Sequence, residues 1–427
     1  MKVAIIGAGW AGLAAAVTAT QAGHHAIVFE ASRAMGGRAR AIKGALPDGS
    51  DVVLDNGQHI LIGAYTETLR LMRHVGVNPD DTLQRLPLTL LFPDGLGLQL
   101  PPWRSPWDAA GGILGAPGWS TTDKLSLLAT ALRWQVAGFT CPAHATVAQV
   151  CRRLRPRVMA GLIEPLCVSA LNIPADRASG QVFLRVLRDS LFGVPGGSNL
   201  LLPRVDLSAL FPDAAVHWIT RHGGQVRMGE RVDRLASAGS TWQVNDEPFD
   251  AVILAVSASE SARALADCAQ TAPDSIAKRL DHWAGITSNL RHEAITTVYA
   301  WGHGAALSHP MLALRSHTGA PAQFVFDRGQ LGGPAGLLAF VVSASSGDRD
   351  ILQAQVLVQA QQQLRLTLQP VQTVVEKRAT FACTPALKRP PMQIAPGLLA
   401  CGDYLEGPYP ATLEGAVRSG VAAGHAT

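Results

Sequence analysis

The first thirty residues set two apolar runs on either side of a glycine turn. Val3 to Ile6 is apolar, G-A-G-W-A-G follows, small residues fill Leu13 to Gln21, and H-A-I-V-F-E ends at Glu30. This pattern predicts a buried strand–helix–strand unit with parallel strands. Asp51 to Leu54 reads as a strand and Thr66 to Val75 as a helix. Short strands are expected at Leu88 to Phe92 and Leu96 to Leu100. Residues 144 to 192 read as helices, with Thr146 and Ser179 as caps. Gly224 to Met228 and Arg231 to Leu235 read as a hairpin. Phe249 to Val256 is unbroken and apolar apart from Asp250, as a parallel-type strand would be. Residues 290 to 345 alternate as an antiparallel sheet does. Ile351 to Leu366 reads as a Gln-rich amphipathic helix. The strand Leu398 to Asp403 ends in Gly-Asp and leads into P-A-T-L-E-G-A-V-R-S-G-V-A-A-G, a helix of small residues.

Nucleotide-domain sequence therefore occurs at the start, in the middle and at the end of the chain. The expected architecture is α/β: a Rossmann-type domain from residues 1–75, 223–262 and 376–427, with an interleaved α+β substrate domain from 76–222 and 263–375. Residues 86 to 140 are rich in Pro and Gly and carry Trp103, Trp107, Trp119 and Trp134. That tract suits either a substrate tunnel or lipid contact on one hand, or ordinary core and lid packing on the other.

Composition narrows the class. Of 427 residues, 48% are apolar and only 16% charged, so the chain is greasy, yet it has no uncharged apolar run long enough for a transmembrane helix. A strand beginning at Lys2 leaves no room for a signal peptide, which points to a cytoplasmic protein. The net charge of +4 comes with no dense basic block, so nucleic acid is not an expected partner, while weak attraction to an anionic membrane face is compatible with it. The six cysteines form no C-x-x-C pair, and the 13 histidines form no H-E-x-x-H cluster, so no metal site is predicted.

The chemistry lies in the glycine turn. Gly7 permits the tight turn, Gly9 leaves room for a pyrophosphate, and Gly12 lets helix and sheet approach. The helix N-terminus presents free N–H groups to phosphate. Glu30 is placed to accept hydrogen bonds from both ribose hydroxyls, and an acid there favours FAD or NAD over NADP. S-R-A-M-G-G-R-A-R extends the fingerprint: Gly36 and Gly37 allow close backbone approach, and Arg38 offers a fork of donors. The expected cofactor-binding set also includes Ala11, Ala31, Asn56 and Gly57.

The fingerprint with G-G-R, the strand at 250–256 and the terminal G-D with P-A-T-L-E-G-A-V-R-S-G resemble the flavin amine oxidase and phytoene desaturase superfamily. The resemblance implies FAD. It implies that Asp403, after Gly402, binds the ribityl or phosphate part, that Thr412 and Leu413 point a helix N-terminus at the flavin, and that the Val232 backbone contacts adenine. D-N-G-Q-H-I-L-I-G-A-Y (55–65), E-P-L-C-V-S-A-L-N-I-P (164–174), A-S-G-Q-V-F-L-R-V-L-R-D-S-L (178–191) and L-L-L-P-R-V-D-L (200–207) look like the squalene-associated branch, the hydroxysqualene dehydroxylases of hopanoid biosynthesis. That implies an apolar isoprenoid substrate, hydroxysqualene; with no transmembrane helix, a peripheral enzyme drawing that substrate from the bilayer, at the inner face of the membrane, is expected. Only one complete G-x-G-x-x-G is present, which leaves the electron donor open.

Loss of an allylic hydroxyl needs an acid. The candidates are His59, beside the expected flavin face, and Glu164, in an apolar helix where burial would raise its pKa. Each also has a structural reading, His59 as a satisfied histidine and Glu164 as a helix-end partner; Asn172 and Asp55 read as turn holders. Rival functions are a carotenoid-type desaturase, a flavin amine oxidase and a prenyl-binding escort protein. The lysines after residue 124 are Lys278, Lys377 and Lys388, and none falls in the amine oxidase motif, which weighs against that rival.

Overall fold

The computed structural model describes residues 1–103 and 107–427, so Arg104, Ser105 and Pro106 of the tryptophan-rich tract lie outside the described residues. Three distant stretches of chain build one six-stranded sheet. Its order is Gln225–Met228, His25–Glu30, Lys2–Ile6, Ala251–Leu254, Leu398–Ala400, Gln393–Ala395. The first five strands run parallel, with Val3 paired to both Ala26 and Ala251. The last pairing is antiparallel.

The helix Trp10–Gln21 is buried on every side from Trp10 to Thr20. Such a helix must be apolar all round, and its small residues allow close approach. The helix Leu413–His425 lies against it so tightly that a Cβ on Gly420 would sit 2.1 Å from the Ala11 carbonyl oxygen. Pro212–Arg221 packs in the same core.

A second, antiparallel sheet has the order Met311–Ala313, Phe324–Asp327, Leu337–Ser345, His292–Trp301, Gln369–Phe381. Its side chains alternate between two cores. Phe324, Phe326, Ala339 and Val341 face a helical layer that includes Thr121–Val136 and Gly180–Phe192. Val325, Leu338 and Phe340 face the helix Arg349–Leu364. Thr146 and Ser179 cap their helices as expected. The expected boundaries at 262 and 375 fall inside the helix Ala258–Ala269 and the strand Gln369–Phe381.

Two local expectations are corrected. The hairpin at 224–235 does not form: Gln225–Met228 joins the main sheet beside His25–Glu30, and the hairpin is Leu235–Ala238 with Thr241–Val244. Asn245 is the reason. Its side chain accepts from the backbone N–H groups of Asp233 and Arg234 and donates to the Arg231 carbonyl, which holds 231–234 as a loop. The continuous run from Phe249 is also two strands, Glu247–Phe249 and Ala251–Leu254. The break is at Asp250, whose carboxylate accepts from the Lys2 N–H at 2.7 Å. Among the described residues, no helix is long and apolar enough to cross a membrane.

Candidate active site

The main-sheet strand Lys2–Ile6 ends at Gly7, whose φ of +113° is open to glycine and strained for other residues. A Cβ there would meet the Ala255 carbonyl oxygen at 2.6 Å. Gly9 is the N-cap of Trp10–Gln21 and provides no side-chain cap, so the first N–H groups of the helix stay open. Gly9 also bridges to Gly36, and the Gly36 N–H donates to the Ala8 carbonyl at 2.8 Å. The two glycine motifs therefore make one backbone cradle. At the end of the second strand, the Glu30 carboxylate accepts from the N–H groups of Ala8 and Ser32, each at 2.8 Å.

Two cavities meet at this cradle, sharing Gly7, Glu30 and Val256. The larger, of about 490 Å³, brings together Gly7, Gly9, Ala11, Glu30, Gly36, Gly37, Arg38, Asn56, His59, Gly402, Asp403, Thr412 and Leu413. The smaller, of about 340 Å³, takes Ala31 and Val232. Gly12 lines neither. A Cβ there would be 2.0 Å from the Gly7 carbonyl oxygen, so it serves the helix–strand approach. Gly57 stands behind His59 with φ +94°.

The far wall of the larger cavity is apolar. Ile295, Phe324, Phe326, Val341 and Val374 come from the antiparallel sheet, and Val168 and Ala170 from the helix Glu164–Leu171. Glu164 itself departs from its expected role: it is exposed and lies outside the cavity lining. The helix turns its 168–170 face to the cavity and leaves Glu164, at its start, in solvent.

His59 lines the cavity and bonds through Nδ1 to the Gly57 carbonyl at 2.8 Å. A carbonyl only accepts, so Nδ1 carries the proton and Nε2 is the acceptor. Burial pushes its pKa below the usual histidine value, the Gly57 bond partly offsets this, and the Arg38 charge lowers it further. Arg38 is more tied down than the sequence implied. Its Nη atoms donate to Asp403 at 2.6 Å, to the Ala379 carbonyl at 2.5 Å and to the Arg378 carbonyl at 3.3 Å. At the last helix, Thr412 caps Leu413–His425 by accepting from the Gly415 N–H at 3.0 Å.

Some positions in and around the cavity were less visible in the sequence. Asn172, read as a turn holder, does end its helix in the left-handed region at φ 51°. It also binds Thr380 at 2.9 Å and the Ala344 N–H at 2.6 Å, and it lines the cavity. Asp55 is buried. It accepts from the Leu207 N–H at 2.8 Å, and Arg328 stands 3.8 Å away. Arg328 in turn donates to the cavity residue Gln58 at 3.3 Å. Glu376 joins the lining from a stretch with no motif to mark it, and Tyr65 joins it from the end of D-N-G-Q-H-I-L-I-G-A-Y, where no role was expected for it. Fully buried Glu414, from L-E-G-A-V-R, accepts from the N–H groups of Glu67 and Thr68 and from Arg418 Nε at 2.6 Å.

An open helix N-terminus, a glycine cradle and an acid at the second strand end fit a dinucleotide spanning both cavities. This is a flavin-binding α/β fold. The chain belongs to the family of flavin containing amine oxidoreductases, whose model matches residues 10–425, and its cofactor is FAD. It is 27% identical over 98% of its length to hydroxysqualene dehydroxylase of Sinorhizobium fredii, covering 96% of that protein. It is 28% identical over 98% of its length to hydroxysqualene dehydroxylase of Rhodopseudomonas palustris, again covering 96%. Among solved structures, an oxidoreductase from Methanosarcina mazei shares the fold over the whole of both chains, with a TM-score of 0.72 and 15% identity.

Proposed function

We propose that this chain is an FAD-dependent hydroxysqualene dehydroxylase, which reductively converts hydroxysqualene to squalene in hopanoid biosynthesis. The observation that carries the reading is the junction of the dinucleotide cradle with a chamber walled by Phe324, Phe326 and Val341. An apolar polyene suits those walls, and a small polar amine does not. Whole-length similarity to two proteins named for this reaction supports it.

In this reading the open N–H groups at the start of Trp10–Gln21 would hold the pyrophosphate, and Gly36 and Gly37, having no side chains, would let it approach. Glu30 would bind ribose, and Ala31 and Val232, which line the smaller cavity, would border adenine. Arg38, Asn56, Gly57, Gly402 and Asp403 border the middle of the cofactor. Thr412 and Leu413 aim the last helix at its flavin end.

In the reaction the allylic C–O bond breaks, a hydride goes to that carbon, and the oxygen leaves as water after taking a proton. Reduced flavin supplies the hydride. The protein does the rest. The apolar walls exclude water and hold the carbon in place through buried area. Nε2 of His59 is bare in the neutral ring and gains the proton to be donated only in the imidazolium form, so donation strengthens as pH falls toward its lowered pKa. The substrate dissolves in lipid, so the enzyme works as a peripheral protein on the cytoplasmic face of the membrane.

The test is anaerobic. The purified holoenzyme is reduced chemically and mixed with hydroxysqualene, and flavin reoxidation is followed alongside squalene by mass spectrometry. Matched reoxidation and squalene are expected. A reduced flavin that ignores hydroxysqualene overturns the reading.

A further inference from the structure

Two neighbouring helices of the second domain, Trp107–Gly115 and Thr121–Val136, each turn an apolar stripe outward. On the longer helix the stripe is Leu125, Ala129, Leu132 and Val136, spaced at i, i+4, i+7 and i+11 on one face. Its Leu and Val side chains are 58–83% exposed. The opposite face, with Leu127, Thr130 and Trp134, is buried. A core-facing helix shows its polar side to water, whereas this one packs Leu127 and Trp134 inward and still turns a second apolar stripe outward. The shorter helix exposes Trp107 and Leu114, and the ring of Trp103 lies across Gly111 between them. These three are 60–70% exposed.

The two stripes are continuous. Lys124 Nζ donates to the Leu114 carbonyl at 2.7 Å, which joins the end of one helix to the start of the next. At the far end, exposed Phe192 packs on Phe139, just beyond Val136, with ring centroids 5.1–5.9 Å apart in such core pairs and 5.4 Å apart here.

Along this stretch of chain the exposed charge is basic. Residues 107–160 hold Lys124, Arg133, Arg152, Arg153, Arg155 and Arg157 against two acids, Asp108 and Asp123, and both acids are buried. The four arginines at 152–157 are exposed and sit beside the ridge. Arg157 donates to the Gly118 carbonyl in the turn between the helices at 2.8 Å, and Trp134 Nε1 donates to the Val150 carbonyl at 3.4 Å. From this arginine belt the chain runs through Pro156–Val158 and a π-helical turn, Met159–Ile163, into the helix whose Val168 and Ala170 line the apolar end of the cavity.

We propose that this ridge docks on an anionic lipid bilayer: Trp103, Trp107, Leu114, Leu125, Leu132 and Val136 insert among acyl chains while the arginine belt meets the headgroups. Exposed tryptophans and leucines over a cationic rim are the pattern of an interfacial anchor, with neither part sufficient alone. A protein partner or a second copy of the chain would also cover apolar surface. Four exposed arginines, with only the buried carboxylate of Asp123 acting on Arg155 and Arg157, select a negative surface instead.

The test is flotation of the holoenzyme with vesicles of phosphatidylcholine alone or with an equimolar share of phosphatidylglycerol. The wild type is expected to float with the mixed vesicles, to stay behind with phosphatidylcholine alone, and to be released by high salt. L132S/V136S should lose flotation. R152Q/R153Q should weaken partitioning by roughly fivefold for each arginine removed. All four substitutions are on the surface, so thermal midpoints should match the wild type, as should turnover of detergent-dispersed hydroxysqualene. The docking reading is thus separable from the reaction assigned above. Wild type that ignores the mixed vesicles overturns the proposal, as does flotation untouched by L132S/V136S. A wild-type dimer that these variants convert to monomer, without loss of flotation, overturns it in favour of self-association.

Discussion

Arg38 and Asp403 are 365 residues apart in the chain and 2.6 Å apart in space. One comes from the G-G-R motif after the second strand, the other from the G-D that ends the last parallel strand, so their ion pair ties the two halves of the cofactor cradle together. Asp403 raises the pKa of Arg38 above its usual value, chiefly by its charge. The pair is half in solvent on the arginine side, so its contribution to folding is modest. Under the proposed cofactor placement the larger effect is expected on FAD binding, because Asp403→Ala leaves Arg38 held only by the Arg378 and Ala379 carbonyls. FAD affinity should fall on the order of tenfold to a hundredfold, the scale of one charge-assisted hydrogen bond. Titration of apoprotein with FAD, followed by flavin fluorescence, measures this. Unchanged affinity would show that the pair is incidental to the cofactor.

Glycine at 420 is a packing requirement. A Cβ would lie 2.1 Å from the Ala11 carbonyl oxygen and 2.9 Å from Ala14 Cβ. Gly420→Val must push the last helix off the first, costing about 1–3 kcal/mol by overpacking, or more. Gly285, in the helix Asp274–Ser288, has nothing within 4 Å of its Cβ position and is exposed. Gly285→Ala should stabilise by roughly 0.5–1 kcal/mol through helix propensity alone. Thermal unfolding of the two variants should therefore move in opposite directions, and a destabilised Gly285→Ala would contradict this account.

The parallel core was legible because its signals are local and redundant. Between Val3 and Glu30, apolar runs, glycine spacing and the terminal acid all name the same unit. The stretch 224–249 misled because its strands are short and their partners are distant. Gln225–Met228 pairs with residues near 27–30, a choice that periodicity cannot encode. Glu164 misled for a similar reason: an acid in an apolar sequence reads as buried, yet a helix has a solvent side, and only packing decides which residue takes it. Asn172 and Arg328 stayed hidden because their contacts run to strands 121 or more residues away or through Gln58.

Asp55 gives the fold a pH dependence. Burial raises its pKa to about 6, with the Leu207 N–H and Arg328 offsetting only part of the cost. The folded pKa lies above the unfolded value near 3.9, so the native state binds the extra proton. The stability from that proton is full below the unfolded pKa and is lost as pH rises through about 6. Asp55→Asn keeps the acceptor for Leu207 and removes the charge. It should stabilise the protein by about 2 kcal/mol at neutral pH and by nothing near pH 4. Denaturant midpoints across that range test it, and a gain that does not depend on pH would rule out this titration as the cause.

The two candidate acids separate by pH profile. His59 lines the cavity with its pKa below the usual histidine value, so at neutral pH its acid form is the minority. Single-turnover rates of the reduced holoenzyme should rise as pH falls below about 6.5 and level off near the lowered pKa. His59→Gln keeps a donor near the Gly57 carbonyl, so FAD should stay bound. The rate should drop on the order of a hundredfold, and the acid limb should vanish. Glu164 is exposed and lies outside the cavity lining, so Glu164→Gln should leave both rate and profile as they are. If His59→Gln keeps the acid limb, the proton comes from elsewhere; if Glu164→Gln removes it, that helix moves its first turn into the cavity during turnover.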